Sequence, residues 1–265
     1  MGRCVTCLYK SPFFLQFLTA RYWNCNKVLK FFLNKVLYMR KLAIFDLDHT
    51  LIACDSDQAW VAYLHQQHLL DDIFVEKHNG CYQRYADGTI ATADFVRAQL
   101  KVLAQIPKSI LDQHLVVFLE QVIAPKIYPE SRLLIQHHQN NADDVVLISA
   151  TNHYLVAPIA QLLGIRDSIG IVAEQDDNGN FTGHYVGTPS FRDGKIICLQ
   201  NWLLQKNRSL GDYEESHFYS DSINDLPLLQ MVSHPHVVNG DSKLSDIALA
   251  NGWQMSEFLK SGDGN

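Results

Sequence analysis

The chain has no uninterrupted apolar run of 18 residues, the length a membrane-spanning helix needs, so the sequence predicts no such helix. It has no internal repeat and no low-complexity tract, which argues against solenoid and array architectures. Cysteine is scarce, at 6 in 265 residues. Cys4, Cys7 and Cys25 fall near the amino terminus, and Cys54, Cys81 and Cys198 are scattered. No disulfide framework is expected, and isolated thiols fit a reducing, cytoplasmic setting. Cys4 and Cys7 have metal-type spacing, but no second pair completes a site. Acids are wholly missing from residues 1–38, which carry six basic residues: Arg3, Lys10, Arg21, Lys27, Lys30 and Lys35.

The remainder, 39–265, holds 16 basic and 28 acidic residues, a net −12 against −6 for the whole chain. A net negative charge argues against a nucleic-acid partner. Residues 1–38 read as a different kind of polypeptide. One reading is an over-extended gene start, since Met39-Arg40-Lys41 leads straight into an apolar strand. The other is a basic, aromatic segment lying on a membrane surface. Membrane contact is expected only if this segment is genuine.

What is present is an ordinary globular composition, 47% hydrophobic and 19% charged, and a pattern of alternating strands and helices. Strands are predicted at 42–46, 145–149, 168–172, 217–221 and 236–238, with a small hairpin over 171–186. Helical patterns cover 130–140, 153–163, 194–206 and 224–231. This order predicts an α/β fold, a Rossmann-like parallel sheet with helices on both faces. The gap between the first two strands is too long for one crossover. Its periodicity, in Trp60-Val61 and Tyr63-Leu64, then Phe95-Val96 and Leu100, then Leu111, Leu115 and Phe118, predicts an inserted all-helical cap over 58–128. The core is then 39–57 with 129–265. Such a cap can exclude water and select substrate.

Leu42-Ala43-Ile44-Phe45 runs directly into Asp46 and Asp48, with Thr50 two residues later. In open parallel sheets ligands bind beyond the carboxyl ends of strands. Two close carboxylates are costly without a cation or proton between them. Three further polar signals stand at strand ends or helix starts: Ser149, Lys195, and Asp221-Ser222-Ile223-Asn224-Asp225. Together they suit phosphoryl transfer. Asp46 and Asp221 can supply hard oxygen ligands to Mg²⁺. Lys195 can hold phosphate and a carboxylate together, and Ser149 can donate to phosphate oxygens. A carboxylate nucleophile gives an aspartyl-phosphate, and Asp48 is then free for proton transfer. His137, His138, His234 and His236 lack a Cys or carboxylate at zinc spacing and read as surface histidines.

These motifs resemble those of the haloacid dehalogenase (HAD) superfamily, subfamily IB, the phosphoserine phosphatase-like branch. The resemblance covers 39–240 and is near sequences often labelled histidinol-phosphatase. Its motifs stand here as Asp46-x-Asp48-x-Thr50, Ser149, Lys195 and Asp221-x-x-x-Asp225. The resemblance implies Asp46 as nucleophile and Asp48 as acid and base. It implies Thr50, Ser149, Lys195 and Asn224 around the phosphate. For Mg²⁺ it implies Asp46, Asp48 through its backbone carbonyl, and Asp221, with Asp225 in support. Asp55 and Arg97 fall where that branch selects its substrate. The expected activity is hydrolysis of a small phosphorylated metabolite such as a phosphoserine- or histidinol-phosphate-like ester. Alternatives on the same scaffold are a phosphotransferase or mutase, or a lipid-phosphate phosphatase at a membrane surface.

Overall fold

Strand β1 (Lys41–Phe45) alternates its side chains between two hydrophobic cores. Leu42 and Ile44 face one core; Ala43 and Phe45 face the other. All four are fully buried, as a central parallel strand requires. The computed structural model describes residues 40–86 and 89–259. The expectations for residues 1–38 therefore lie outside the described residues.

The helices α1 (Ser56–Gln66), α2 (Asp72–Ala86), α3 (Thr92–Leu100) and α4 (Lys108–Phe118) follow β1, and α5 (Pro129–Asn140) leads into β2 (Asp144–Asn152). Then come α6 (His153–Leu162), β3 (Asp167–Ile171) and the antiparallel pair β4 (Ala173–Gln175) and β5 (Phe181–Tyr185). The chain closes with α7 (Asp193–Gln205), β6 (Glu215–Ser220), α8 (Leu226–Leu229), β7 (His234–Val238), α9 (Ser242–Asn251) and β8 (Gln254–Ser256).

The main sheet has the order β3-β2-β1-β6-β7-β8 and every pairing in it is parallel. Helix α6 packs its Leu155, Val156 and Ile159 on the Phe45 side. Helix α7 packs Leu199, Trp202 and Leu203 on the Ile44 side, with Leu244 and Ala248 of α9. Burying each such aliphatic side chain contributes roughly 1.5–3 kcal/mol. The chain leaves β1 toward β2 and β3, then returns to β1's other side as β6. The crevice where the strand order reverses lies at the ends of β1 and β6, where parallel α/β sheets hold ligands.

The segment between β1 and β2 leaves and re-enters the core at one place. Ile52 and Ile127 form an antiparallel bridge, and the Ala53 amide donates to the Lys126 carbonyl at 2.8 Å. The Tyr128 amide donates to the Leu51 carbonyl at 3.2 Å. Between these stems the chain is helical, as its periodicity predicts. Trp60 and Phe118 stack edge to face at 4.8 Å in its interior. The β4–β5 hairpin meets this segment: Asn180 Oδ1 accepts from the Lys108 amide at 3.0 Å, at the start of α4.

Candidate active site

Asp46 is the first residue beyond β1, and its amide donates to the Tyr219 carbonyl of β6 at 2.9 Å. That bond extends the sheet by one rung and fixes the carboxylate at the crevice. Lys195, in the first turn of α7, places Nζ 2.6 Å from Asp46 Oδ1 and 2.6 Å from Asp225 Oδ2. Lys195 is 3% exposed and Asp46 6%. The RDGK stretch allows this approach because of its glycine. A Cβ on Gly194 would meet the Pro189 carbonyl oxygen at 2.0 Å.

Burial pushes the Asp46 carboxyl up to about 7, against the pull of Lys195. Burial alone would lower Lys195, but Asp225 and Asp46 outweigh it and hold the ammonium above its ordinary value. Asp221, directly after β6, is raised well above the usual carboxylate range by burial and then by Asp46. The Thr50 hydroxyl donates to Asp221 Oδ1 at 3.0 Å. Both oxygens of Asp48 are held: Oδ1 accepts from the Ser56 amide at 2.8 Å, and Oδ2 from the Thr151 hydroxyl at 2.7 Å. Asp46, Asp48, Ser149, Lys195, Asp221, Asn224 and Asp225 line one cavity of about 210 Å³. Asp55 and the aromatic residues Tyr82, Tyr85, Phe95 and Phe191 line it as well.

The donor set meets the demand of a hard divalent cation. Buried Asp46 and Asp225 share one buried ammonium, part-buried Asp221 beside them has none among the described residues, and all the ligand atoms on offer are oxygen.

A family model of haloacid dehalogenase-like hydrolases matches residues 43–230, a span that includes all of these groups. The chain belongs to this family. A histidinol-phosphatase of Neisseria meningitidis serogroup C (strain 8013) is 41% identical over 221 residues, covering 83% of this chain and 100% of that protein. A crystal structure of a protein of unknown function from Bordetella pertussis Tohama I is 36% identical. It matches with a TM-score of 0.79 over 82% of this chain and 98% of that one. A substrate-bound phosphoserine phosphatase shares the fold, with a TM-score of 0.61 at 15% identity, covering 84% of this chain and 94% of that one. The chain is a phosphatase-type enzyme of the HAD family. Among the described residues of this hydrolase, no helix is long and apolar enough to cross a membrane.

The structure gathers most of the predicted site residues of the hydrolase, with three refinements. Asp225 turns its Oδ2 to Lys195 and to the Ser220 hydroxyl at 2.7 Å, so it aims the ammonium. Thr50 is spent on Asp221. Arg97 is not brought to the cavity: it is half-exposed on α3 and pairs with Asp94 one turn away, at 3.0 Å. Asp55 does line the cavity, while capping α1 through the Gln58 amide at 2.8 Å.

Several residues beside the cavity escape a motif reading. Thr151 lies two residues after Ser149, on the same strand face, and that period of two is the signal that marks it. Arg192 reaches Asn224 Oδ1 through Nε at 3.1 Å and stacks its guanidinium over Tyr85. Asp57 is buried and accepts from the Tyr82 hydroxyl at 2.8 Å and from Asn152 Nδ2 at 3.3 Å. Burial pushes Asp57 up to about 8, with Asp55 adding to the effect. Nothing in the local sequence marks Asp57, because its partners come from α2 and β2.

Proposed function

We propose that this hydrolase cleaves a small phosphate monoester through an aspartyl-phosphate on Asp46. The observation that carries the reading is the buried Lys195 between Asp46 and Asp225, with Asp48 held by both its oxygens beside them. Lys195 fixes Asp46 Oδ1 and keeps the carboxylate anionic as phosphate enters. The other Asp46 oxygen attacks phosphorus, and the ester P–O bond breaks. Asp48 gives its proton to the departing alkoxide. In the second step water attacks the same phosphorus, its proton passes to Asp48, and the aspartyl P–O bond breaks to free phosphate and Asp46. Ser149 and Asn224 line the same cavity and would donate to the phosphate oxygens.

Asp46, Asp221 and the backbone carbonyl of Asp48 would hold Mg²⁺. When bound, Mg²⁺ supplies neutralising charge to the phosphate oxygens.

The cavity volume of about 210 Å³ fits a small ester rather than a polymer end. Asp55 lies on its wall beside four aromatic rings, and burial pushes its carboxyl up to about 7. An ester carrying an amine answers both features, by charge against Asp55 and by cation–π contact with the rings. We read residues 58–128 as a cap that supplies Tyr82, Tyr85 and Phe95 to this wall. An aminoalkyl phosphate such as phosphoserine or histidinol phosphate is the substrate class these groups favour.

The test is phosphate release with Mg²⁺ over a panel of phosphoserine, histidinol phosphate, sugar phosphates and a lysophospholipid phosphate. Amine-bearing esters are expected to lead, with activity lost in Asp46→Asn. Retained activity in that variant would overturn the assignment of nucleophile. Preference for the lipid ester, or release only with an added acceptor alcohol, would replace the reading with one of its alternatives.

A further inference from the structure

At the other end of β6 from Asp221 lies a group that the catalytic chemistry does not use. Glu215 and His217 are two residues apart on β6 and so share one sheet face. His234 opens β7 in direct register with His217. The two imidazoles lie 4.7 Å apart, nearly parallel. One ligand atom from each of Glu215, His217 and His234 lies within 4.8 Å of the others. By sequence His234 reads as a surface histidine and His217 only as the start of a strand, and parallel pairing is what assembles them.

We propose that Glu215, His217 and His234 form a binding site for a borderline divalent transition ion of the Zn²⁺ class. Two imidazoles and one carboxylate select such an ion over Mg²⁺ or Ca²⁺. Water completes the coordination.

The hydrogen bonds around the histidines prepare them for this. A ligating histidine is oriented by the hydrogen bond its other ring nitrogen makes. His217 has Nε2 3.1 Å from Glu215 Oε2 and Nδ1 3.0 Å from His236 Nε2. When His217 carries its hydrogen on Nδ1, toward His236, its Nε2 lone pair and the Glu215 carboxylate face each other as two ligand atoms 3.1 Å apart, which a bound cation can bridge. His234 Nδ1 lies 2.9 Å from the Ser233 hydroxyl, which itself donates to the Ser216 carbonyl. With the Ser233 hydrogen on the Ser216 carbonyl, that hydroxyl accepts from Nδ1 and His234 Nε2 keeps its lone pair. His234 is exposed and Glu215 and His217 are part-buried, so ions can reach the cluster from solvent.

Lys41 holds Glu215 Oε2 at 2.6 Å and competes with a metal for the carboxylate. The site thus joins the first residue of β1 to β6 and β7, and an ion in it clips β6 to β7. An ion that binds only the folded chain raises its stability by mass action.

The experiment titrates Zn²⁺ into chelator-stripped full-length protein in excess Mg²⁺, reading heat of binding and thermal midpoint, with Co²⁺ absorption as the spectroscopic probe. The wild type is expected to bind one equivalent that is lost, or weakened by roughly tenfold or more, in His234→Ala. His234 is exposed, so this variant retains its fold. Lys41→Met is expected to tighten binding several-fold. Magnesium-dependent phosphatase activity is expected to be unchanged in His234→Ala. Equal binding in wild type and His234→Ala, or no tightening in Lys41→Met, would overturn the site.

Discussion

Replacing Lys195 by Met removes the one buried ammonium between Asp46 and Asp225. Each contact is 2.6 Å long, and at an effective dielectric of 20 each is an attraction of about 6 kcal/mol. Part of this offsets the desolvation of three charges, and breaking a buried pair from one side costs a net of about 3–5 kcal/mol. The loss depends on pH in a defined direction. In the metal-free wild type Asp46 ionises at about 7. Without Lys195 its folded-state value rises further, while the unfolded value is unchanged. Below about pH 7 the folded forms of both proteins hold the Asp46 proton, so this group adds nothing to the difference. Above it, only the variant's folded state keeps the proton, and its stability falls faster by up to about 1.4 kcal/mol per pH unit. Urea unfolding of both proteins in chelator, at pH 6, 7, 8 and 9, measures this. A destabilisation under about 1 kcal/mol, or a gap that narrows above pH 7, would refute the buried triad. Phosphatase activity of Lys195→Met is expected to be lost at every pH.

Asp48→Asn is expected to lower kcat by about 10²–10⁴, and Thr151→Val by about tenfold, since Thr151 only orients the Asp48 carboxylate; steady-state phosphate release checks both. Asp57 and Asp55 have folded-state values of about 8 and about 7, above the ordinary 3.8, so the folded state keeps protons that the unfolded state has lost. Metal-free stability should therefore decline from about pH 4 to about pH 8, and Asp57→Asn should flatten that decline in urea midpoints. Arg192→Ala is expected to raise KM several-fold through Asn224 and Tyr85, whereas Arg97→Ala should leave kcat/KM within about twofold, as an exposed ion pair on α3 implies.

The catalytic edge is legible in the sequence because it sits where patterns change. Apolar strands end at Asp46 and just before Asp221, and Lys195 falls in the first turn of a helix, so the changes of pattern locate the groups. The five predicted main-sheet strands and the hairpin all form within two residues of their expected ends, except that β2 runs three residues further, to Asn152. The edge strand β8 is three residues long and carries too few residues for a period. Helix α9 has its signals in plain view: Asp241 accepts from the Leu244 amide, and Gly252 takes the left-handed conformation after the last turn. A capping search would have found it where a search for apolar runs did not. The pairing of Asp57 with Tyr82 and Asn152, and the alignment of His217 with His234, join elements far apart in the chain. No local pattern encodes such contacts. Arg97 shows the converse: proximity in a motif map does not decide which way a helix face turns.

In the proposed mechanism Asp46 becomes covalently phosphorylated. Wild-type protein with Mg²⁺ and its best amine-bearing ester would be acid-quenched during turnover and its peptides analysed by mass spectrometry. Phosphate is expected on the peptide containing Asp46, at the Asp46 side chain, and absent from Asp46→Asn. Steady turnover with no phosphopeptide at any quench time, together with phosphate release surviving in Asp46→Asn, would contradict it.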